Sequence, residues 1–348
     1  MAQKLEHREQ RIVFEEVLGG ISQEEELVRA AWVTVFAFPQ RVALMSLPCI
    51  GAVGRASRPE PETQENANGP PVVWRRGGST RSGGRSMALI HHVVAGSGSP
   101  PMVFVHGFGC SWTDWLAQIE HFSTRQMVVA VDLPGHGASL MPAEPASIAL
   151  GATEVAALLQ ALAMPPAVLV GHSMGCRVVL DAALRAPEHV AAIVLLDGSR
   201  FPPQSDQAFE SRFAAGEYRD LVRATFGQMF TASSDPKTID AVVQRALTLS
   251  EQVGEAFLLS MVRYDAETLA SALERVDKPL LVLQTTFIND QRERTSMVAG
   301  QMTSYLEFVR AKVPAAHIEV LADLGHFPQI ETPTEINSVL ARFIATLA

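Results

Sequence analysis

Residues 167–176 read AVLVGHSMGC, an apolar run that ends in a turn flanked by two glycines. The run is short, rich in valine and free of polar alternation, which is typical of a strand covered on both faces in a parallel sheet. Residues 174–185 then show the apolar spacing of a helix. We therefore predict a strand, a tight turn and a helix, with Ser173 at the centre of the turn.

The pentapeptide GHSMG (171–175) has the form GxSxG, and its strand–turn–helix context is the one that nucleophilic serines require. A turn this tight leaves little room beside the serine, which accounts for Gly171 and Gly175. The turn lifts the hydroxyl out of the sheet, and the N-terminus of the following helix favours negative charge beside it. The pattern favours Ser173 as a nucleophile; the alternative is a serine that only caps the helix.

Two further loops follow predicted strands. VHGFG (105–109) is a flexible turn that can direct the N–H of Phe108 towards the reacting centre. Together with the N–H of Met174, this predicts an oxyanion hole with two donors. LGHFP (324–328) follows the last predicted strand, so that His326 can lie over the serine and accept its proton.

From Met87 onwards, short apolar runs alternate with helical stretches. This alternation predicts an α/β fold with a doubly wound, mostly parallel sheet, in which the chemistry collects beyond the carboxyl ends of the strands. The predicted strands are 90–94, 102–105, 127–131, 167–170, 192–196, 280–283 and 318–321. The predicted helices are 112–122, 148–162, 174–185, 297–312 and 335–347.

Residues 198–277 interrupt the alternation because they contain no convincing strand. Helical stretches are indicated at 207–214, 218–230, 237–249, 253–259 and 266–276. We predict that residues 198–277 form an all-helical cap over the site. The core domain is then expected to consist of residues 87–197 and 278–348.

Residues 1–86 differ from the rest of the chain. Residues 54–86 are rich in Pro, Gly, Ser and Arg, and their lack of a sustained apolar period predicts that they cannot bury enough surface to fold. Residues 31–53 are apolar, but the charge of Arg41 near their middle argues against a membrane span. We predict that 1–86 is a dispensable extension, largely disordered or a spurious gene start.

The composition narrows the class of protein. The chain has 348 residues, 47% of them hydrophobic, and a formal net charge of −9. Residues 87–348 hold 17 Lys+Arg against 27 Asp+Glu, a balance that would repel nucleic-acid phosphates and predicts no nucleic-acid partner. The three cysteines are widely spaced and give no disulfide framework. This use of cysteine predicts a reducing compartment, so we expect a cytoplasmic protein. Neither metal-ligand spacing nor a nucleotide-binding glycine motif is present, so we expect no metal or cofactor.

The four motifs VHGFG (105–109), DLPGHGAS (132–139), GHSMG (171–175) and LGHFP (324–328) occur in this order and on the expected loops. From about Met87 to the C-terminus the chain therefore resembles the α/β-hydrolase fold superfamily, in its lidded, serine esterase-like branch. The resemblance implies a catalytic triad in the order nucleophile, acid, histidine. His106 is predicted to stabilise its turn, and the resemblance implies a structural role for His136.

The acid of the triad departs from the family pattern. Relatives commonly carry it a few residues past the seventh strand, but LQTTFIND (283–290) has no carboxylate at that place, and Asp290 comes about two residues late. The superfamily also uses the end of the sixth strand, as in haloalkane dehalogenases. Asp197 stands there, 24 residues after Ser173. Spacing favours Asp197, and Asp290 stays the alternative.

The resemblance implies a serine hydrolase that cleaves a carboxylic ester or lactone with an apolar portion through an acyl-enzyme. A serine at position 173 disfavours dehalogenase and epoxide hydrolase chemistry, which proceeds through an aspartate ester. Carbon–carbon bond hydrolysis and perhydrolysis on the same triad remain open, as does a ligand receptor with a slow triad. The expected partner is a small apolar substrate, and the oligomeric state is not predicted.

Overall fold

The computed structural model describes residues 62–64, 72–76, 90–202, 218–289 and 293–347 of the chain. Most of the predicted extension, the predicted helix at 207–214 and the alternative acid Asp290 lie outside the described residues. Within them, strands and helices alternate from residue 102 to residue 196, whereas in residues 218–274 helices follow one another.

The described strands are β1 (Glu62–Gln64), β2 (Val72–Arg76), β3 (His92–Ala95), β4 (Met102–Val105), β5 (Val128–Val131), β6 (Ala167–His172), β7 (Val190–Leu196), β8 (Leu280–Gln284), β9 (Thr286–Ile288), β10 (Arg294–Ser296) and β11 (His317–Val320). All except β9 and β10 form one sheet in the order β1-β2-β3-β5-β4-β6-β7-β8-β11. Neighbouring strands from β5 to β11 in this order are parallel, whereas β1, β2 and β3 join antiparallel. The predicted α/β class with a mostly parallel sheet is confirmed.

Helices cover both faces of this sheet. The described α-helices are α1 (Leu116–Phe122), α2 (Ile148–Leu162), α3 (Met174–Arg185), α4 (Tyr218–Gly227), α5 (Pro236–Ala246), α6 (Glu251–Glu267), α7 (Leu269–Glu274), α8 (Ser304–Lys312), α9 (Pro328–Glu331) and α10 (Pro333–Ala345). Val103 and Val105 of β4 share one buried cluster with α2 and α3, while Phe104 shares another with α1 and α10. Because successive strand residues point to opposite faces, burial on both faces explains the continuous apolar runs.

The predicted bounds of α2 and α3 match the structure, but the helix predicted over 297–312 begins only at Ser304. Thr303 caps this helix by accepting a hydrogen bond from the N–H of Leu306 at 3.3 Å, and Gly300 occupies a turn at φ 73° ahead of it. The hairpin of β9 and β10 comes earlier still. Strands of three residues are too short to give a periodic signal, so the pattern predicts neither of them.

The sheet extends into the segment that the sequence predicted to be an extension. Both β1 and β2 lie within residues 1–86, and β2 pairs antiparallel with β3. Val72 and Val73 favour a strand, but the Pro, Gly and Arg residues around them do not, so the composition of the segment predicts no strand there. The prediction that the ordered core begins at Met87 therefore leaves out two strands of the sheet.

Helices α4 to α7 separate β7 from β8, within the interval where the sequence predicted helices alone. Phe226 of α4 and Ala246 of α5 share a buried apolar cluster with Cys110 and Phe327. Cys110 belongs to the loop after β4 and Phe327 to the loop after β11, so this helical segment packs against both loops. None of the described helices is long and apolar enough to cross a membrane.

Candidate active site

Ser173 lies in the turn between β6 and α3, where its backbone adopts φ 54° and ψ −114°. Few residues other than glycine adopt a positive φ, so the turn is strained. A β-carbon at Gly171 would lie 2.3 Å from the carbonyl oxygen of Gly175, and one at Gly175 would lie 2.5 Å from that of Val105. Only glycine fits at these two positions, which explains the motif around the serine.

The structure brings Ser173, His326 and Asp197 together in one hydrogen-bonded line. Nε2 of His326 lies 2.9 Å from Oγ of Ser173, and Nδ1 lies 2.5 Å from Oδ2 of Asp197. Asp197 is an acceptor only, so Nδ1–H donates to it and Nε2 is left to accept from the serine hydroxyl. His326 is 1% exposed and Asp197 is fully buried, whereas Ser173 is half-buried.

The Asp197 carboxylate has donors on both oxygens. Oδ1 accepts from the N–H groups of Thr285 (2.8 Å) and Thr286 (2.7 Å). Oδ2 accepts from the Thr286 hydroxyl at 2.5 Å in addition to His326. Burial alone would raise the pKa of Asp197, but the hydrogen bond and charge of His326, together with Arg294 and Thr286, lower it. The acid is therefore ionised near neutral pH.

Arg294 of β10 is a neighbour of this carboxylate that the sequence analysis missed. Its Nη1 lies 3.6 Å from Oδ2 of Asp197 and donates to the hydroxyl of Thr286 at 2.7 Å. The contact joins residues nearly a hundred positions apart, and no motif surrounds Arg294. The one available signal was the pair of threonines at the place where relatives commonly carry the acid.

Burial is the largest influence on His326, and it lowers the pKa of the imidazole to about 4. The positive charge of Arg294 acts in the same direction, while the hydrogen bond and charge of Asp197 oppose both. The imidazole is therefore neutral at neutral pH. A neutral imidazole with a free Nε2 is the form that can accept the proton of Ser173.

The loop after β4 passes directly beside the serine. A β-carbon at Gly107 would lie 3.1 Å from Cβ of Ser173. The N–H of Phe108 has no acceptor among the described residues. Met174 is the first residue of α3, so its N–H has no acceptor within the helix. Both predicted oxyanion donors are thus available for a ligand.

Two buried histidines hold this loop. His106 donates from Nδ1 to the carbonyl of Gly107 (2.7 Å), and its Nε2 accepts from the N–H of Leu133 (3.0 Å). Nε2 of His136 accepts from the N–H of Gly109 (3.1 Å). Burial lowers the pKa of His106 to about 4 and that of His136 to about 3. Both rings are neutral turn-stabilising groups, as the sequence predicted.

The described part of the predicted cap covers both loops. A β-carbon at Gly109 would meet Ala246 at 3.0 Å and Phe226 at 3.1 Å. The N–H of His326 donates to the carbonyl of Met229 at 2.7 Å. This helical segment therefore touches the loop after β4 and the loop of the histidine, and apolar side chains line this contact. No three described His, Cys, Asp or Glu side chains gather as metal ligands.

Comparisons with known proteins bear on the fold that carries these residues. A family model described as the alpha/beta hydrolase family matches residues 102–339. A dihydrolipoyllysine-residue acetyltransferase component of an acetoin cleaving system from Pseudomonas putida is 28% identical over 72% of the chain, which spans 65% of that relative's length. A pimeloyl-[acyl-carrier protein] methyl ester esterase from Xanthomonas oryzae pv. oryzae is 28% identical over 74% of the chain and 100% of the relative.

A solved structure of a thermophilic esterase from Thermogutta terrifontis also resembles the chain. The match covers 79% of this chain and 98% of the other at a TM-score of 0.63. With 22% sequence identity, the match establishes a shared fold.

Proposed function

Because the chain belongs to the alpha/beta hydrolase family, we propose that it is a serine hydrolase with Ser173 as nucleophile, His326 as general base and Asp197 as acid. The observation that carries the proposal is the continuous line from Oγ of Ser173 through the His326 ring to Oδ2 of Asp197, with contacts of 2.9 and 2.5 Å. Nucleophile, base and orienting acid within hydrogen-bond reach are the signature of covalent acyl transfer.

The reaction begins when Nε2 of His326 takes the hydroxyl proton as Oγ of Ser173 attacks the carbonyl carbon. Asp197 stabilises the resulting imidazolium through Nδ1–H. The N–H groups of Phe108 and Met174 bind the oxyanion, and each such donor is typically worth about 3 kcal/mol in the transition state. The imidazolium then protonates the leaving alkoxide, which departs and leaves an acyl-enzyme.

Water completes the cycle. His326 accepts a proton from the water molecule as its oxygen attacks the acyl carbon, and the same oxyanion donors are used again. Collapse of the second tetrahedral intermediate releases the acid, and the proton on His326 returns to Ser173. The net change is hydrolysis of one ester bond, so no cofactor is consumed.

The proposed substrate is a carboxylic ester or lactone with an apolar portion. The apolar contact between the cap and the two site loops supports this choice, because ligand pockets are lined mainly by apolar side chains. A relative that is 28% identical is named as a methyl ester esterase. We propose residues 198–277 as the cap of a core made of residues 87–197 and 278–348, to whose sheet β1 and β2 add two antiparallel strands. The free thiols of Cys110 and Cys176 favour the cytoplasm.

The test is hydrolysis of short- and medium-chain p-nitrophenyl esters together with labelling by a fluorophosphonate probe. The wild-type chain is expected to hydrolyse the esters and to be labelled, whereas Ser173→Ala is expected to do neither. Ser338→Ala is a matched control, because this exposed serine of α10 bonds only to the carbonyl of Thr334. Labelling that persists in Ser173→Ala would overturn the proposal.

A carbon–carbon bond hydrolase or perhydrolase would use the same residues. Hydrolysis of a panel of diketones and a peroxide assay are therefore measured alongside ester hydrolysis. A folded wild-type chain that binds a small apolar ester and is not labelled would instead identify a ligand receptor.

A further inference from the structure

Arg294 places a guanidinium against the candidate acid, well removed from solvent. Its side chain is 11% exposed, and Nη1 lies 3.6 Å from Oδ2 of Asp197, which is fully buried. The hairpin of β9 and β10 brings it there, because Arg294 pairs with Ile288 across the hairpin. A buried charge is costly unless it is paired, so this position couples Arg294 to Asp197.

Thr286 connects the two charges. Its hydroxyl accepts a hydrogen bond from Nη1 of Arg294 at 2.7 Å. A guanidinium can only donate, so the single hydroxyl proton of Thr286 is free to point to Oδ2 of Asp197, 2.5 Å away. Arg294 thereby fixes the direction of a hydrogen bond that reaches the same oxygen as His326.

We propose that Arg294 is a positioning residue of the triad, which anchors the Asp197 carboxylate through Thr286 and, by its charge, extends hydrolysis to more acidic pH. The inference rests on the proposed function for its catalytic consequence. Its electrostatic part concerns His326 itself, whether or not a substrate is present.

The direction of the effect follows from the charges. A guanidinium stays protonated throughout the pH range of hydrolysis. It favours the ionised form of Asp197 and disfavours an imidazolium at His326, so it acts with burial to lower the pKa of His326 to about 4. Asp197 acts in the opposite direction. Removing the positive charge should therefore raise the pKa of His326, and protonation should inactivate the base at a higher pH.

Other charged groups near these side chains do not replace Arg294. His172 at the end of β6 lies with its ring 4.7 Å from that of His326, and burial lowers the pKa of His172, so it stays neutral. Arg177 of α3 pairs with Asp265 through Nη2 at 2.6 Å. Glu331 of α9 lies beside Gly325 and accepts a hydrogen bond from the hydroxyl of Ser234.

The experiment measures kcat/KM against pH for the wild-type chain, Arg294→Gln, Arg294→Lys and Arg342→Gln. The acidic limb of kcat/KM reports the essential base of the free enzyme. We expect it to move upwards by about one pH unit in Arg294→Gln and to stay near its wild-type position in Arg294→Lys, which keeps the charge. Arg342 is the matched control, because its side chain is 62% exposed and pairs with Glu319 on the surface.

Either of two results would overturn the inference: an acidic limb that does not move in Arg294→Gln, or one that moves equally in Arg294→Lys. If Arg294→Gln does not fold, Arg294→Met, which has a similar reach without the charge, takes its place.

A second measurement separates this inference from the proposed function. The His326 ring is titrated by nuclear magnetic resonance in the Ser173→Ala background, with the signal assigned by His326→Gln. A midpoint that rises when Arg294→Gln is added supports the electrostatic role even if no ester is hydrolysed. Serine-dependent hydrolysis with an unchanged midpoint would instead overturn the role of Arg294 and leave the proposed function standing.

Discussion

The turns after β6 and β7 each place one side chain of the site at a positive φ, 54° at Ser173 and 48° at Asp197. They are held in different ways. Ser173 is fixed locally, by glycines whose missing β-carbons leave room for the turn. Asp197 is fixed from a distance, by donors at Thr285, Thr286 and His326. One half of the site is thus determined by a pentapeptide and the other by the assembled fold.

The largest expected effect on kcat comes from changing Asp197, the side chain that residues distant in the sequence hold in place. Asp197→Asn should lower kcat by about 10⁴-fold, because the amide loses the charge that orients and stabilises the imidazolium. Asp290→Asn is the matched change at the alternative acid and should leave kcat within about threefold of wild type. Steady-state ester hydrolysis measures both. A large loss in Asp290→Asn with little change in Asp197→Asn would reassign the acid.

The turn around Ser173, which is fixed locally, should be disrupted by the addition of one methyl group. Gly171→Ala would place a β-carbon 2.6 Å from the carbonyl carbon of Gly175 and 2.8 Å from the backbone nitrogen of Cys176, both within the same turn. Neither backbone atom can yield easily, so the free energy of unfolding should fall by about 3 kcal/mol in urea denaturation. Gly227→Ala, with nothing within 4 Å of the added carbon, is the control and should unfold no more easily than wild type. Equal losses in both variants would contradict local fixation.

The hydroxyl of Thr286 allows one of the hydrogen bonds that hold Asp197 to be tested separately. Thr286→Val keeps the shape and the N–H donor but removes the O–H that reaches Oδ2 of Asp197. A hydrogen bond to a charged group is worth about 2 kcal/mol, so kcat/KM should fall about 30-fold. Thr295→Val, at an exposed position of the same hairpin, should change kcat/KM little. An unchanged rate in Thr286→Val would show that the two N–H donors suffice.

The smallest expected effect concerns acid stability. His136 has its pKa lowered to about 3 in the folded chain, against about 6.5 when unfolded. The unfolded state therefore binds more protons between these values, and stability falls as the pH drops from about 6.5 towards 3. His136→Gln should flatten that slope by about 1.4 kcal/mol per pH unit, as measured by urea unfolding at several pH values. His121→Gln, at an exposed histidine, is the control and should keep the wild-type slope. An unchanged slope in His136→Gln would contradict burial of a neutral ring.

The sequence could predict those parts of the molecule that local rules determine. The glycines around Ser173 and the continuous apolar runs were enough for the turn, the parallel sheet and helices α2 and α3. The partners of Asp197 could not be predicted, because Thr285, Thr286 and Arg294 meet it only after β7 and β8 pair in register. Spacing alone therefore left Asp197 and Asp290 as alternatives.

The strands that the sequence missed share a physical cause. β9 and β10 have three residues each, and β2 lies in a segment whose Pro, Gly and Arg content predicts no packed structure. Pairing with a neighbouring strand stabilises such short pieces, and no window of the sequence contains the neighbour. Arg294 belongs to this hairpin. Because the hairpin could not be predicted from the sequence, the positive charge beside Asp197 could not be predicted either.

The hydrogen bond from the His326 N–H to the carbonyl of Met229, at 2.7 Å, ties the backbone of the proposed base to the segment above it. If that segment swung outward to admit a substrate, it would release the backbone of the histidine in the same movement. The backbone position of His326 is thus coupled to that of the helical segment, and return of the segment would restore the hydrogen bond.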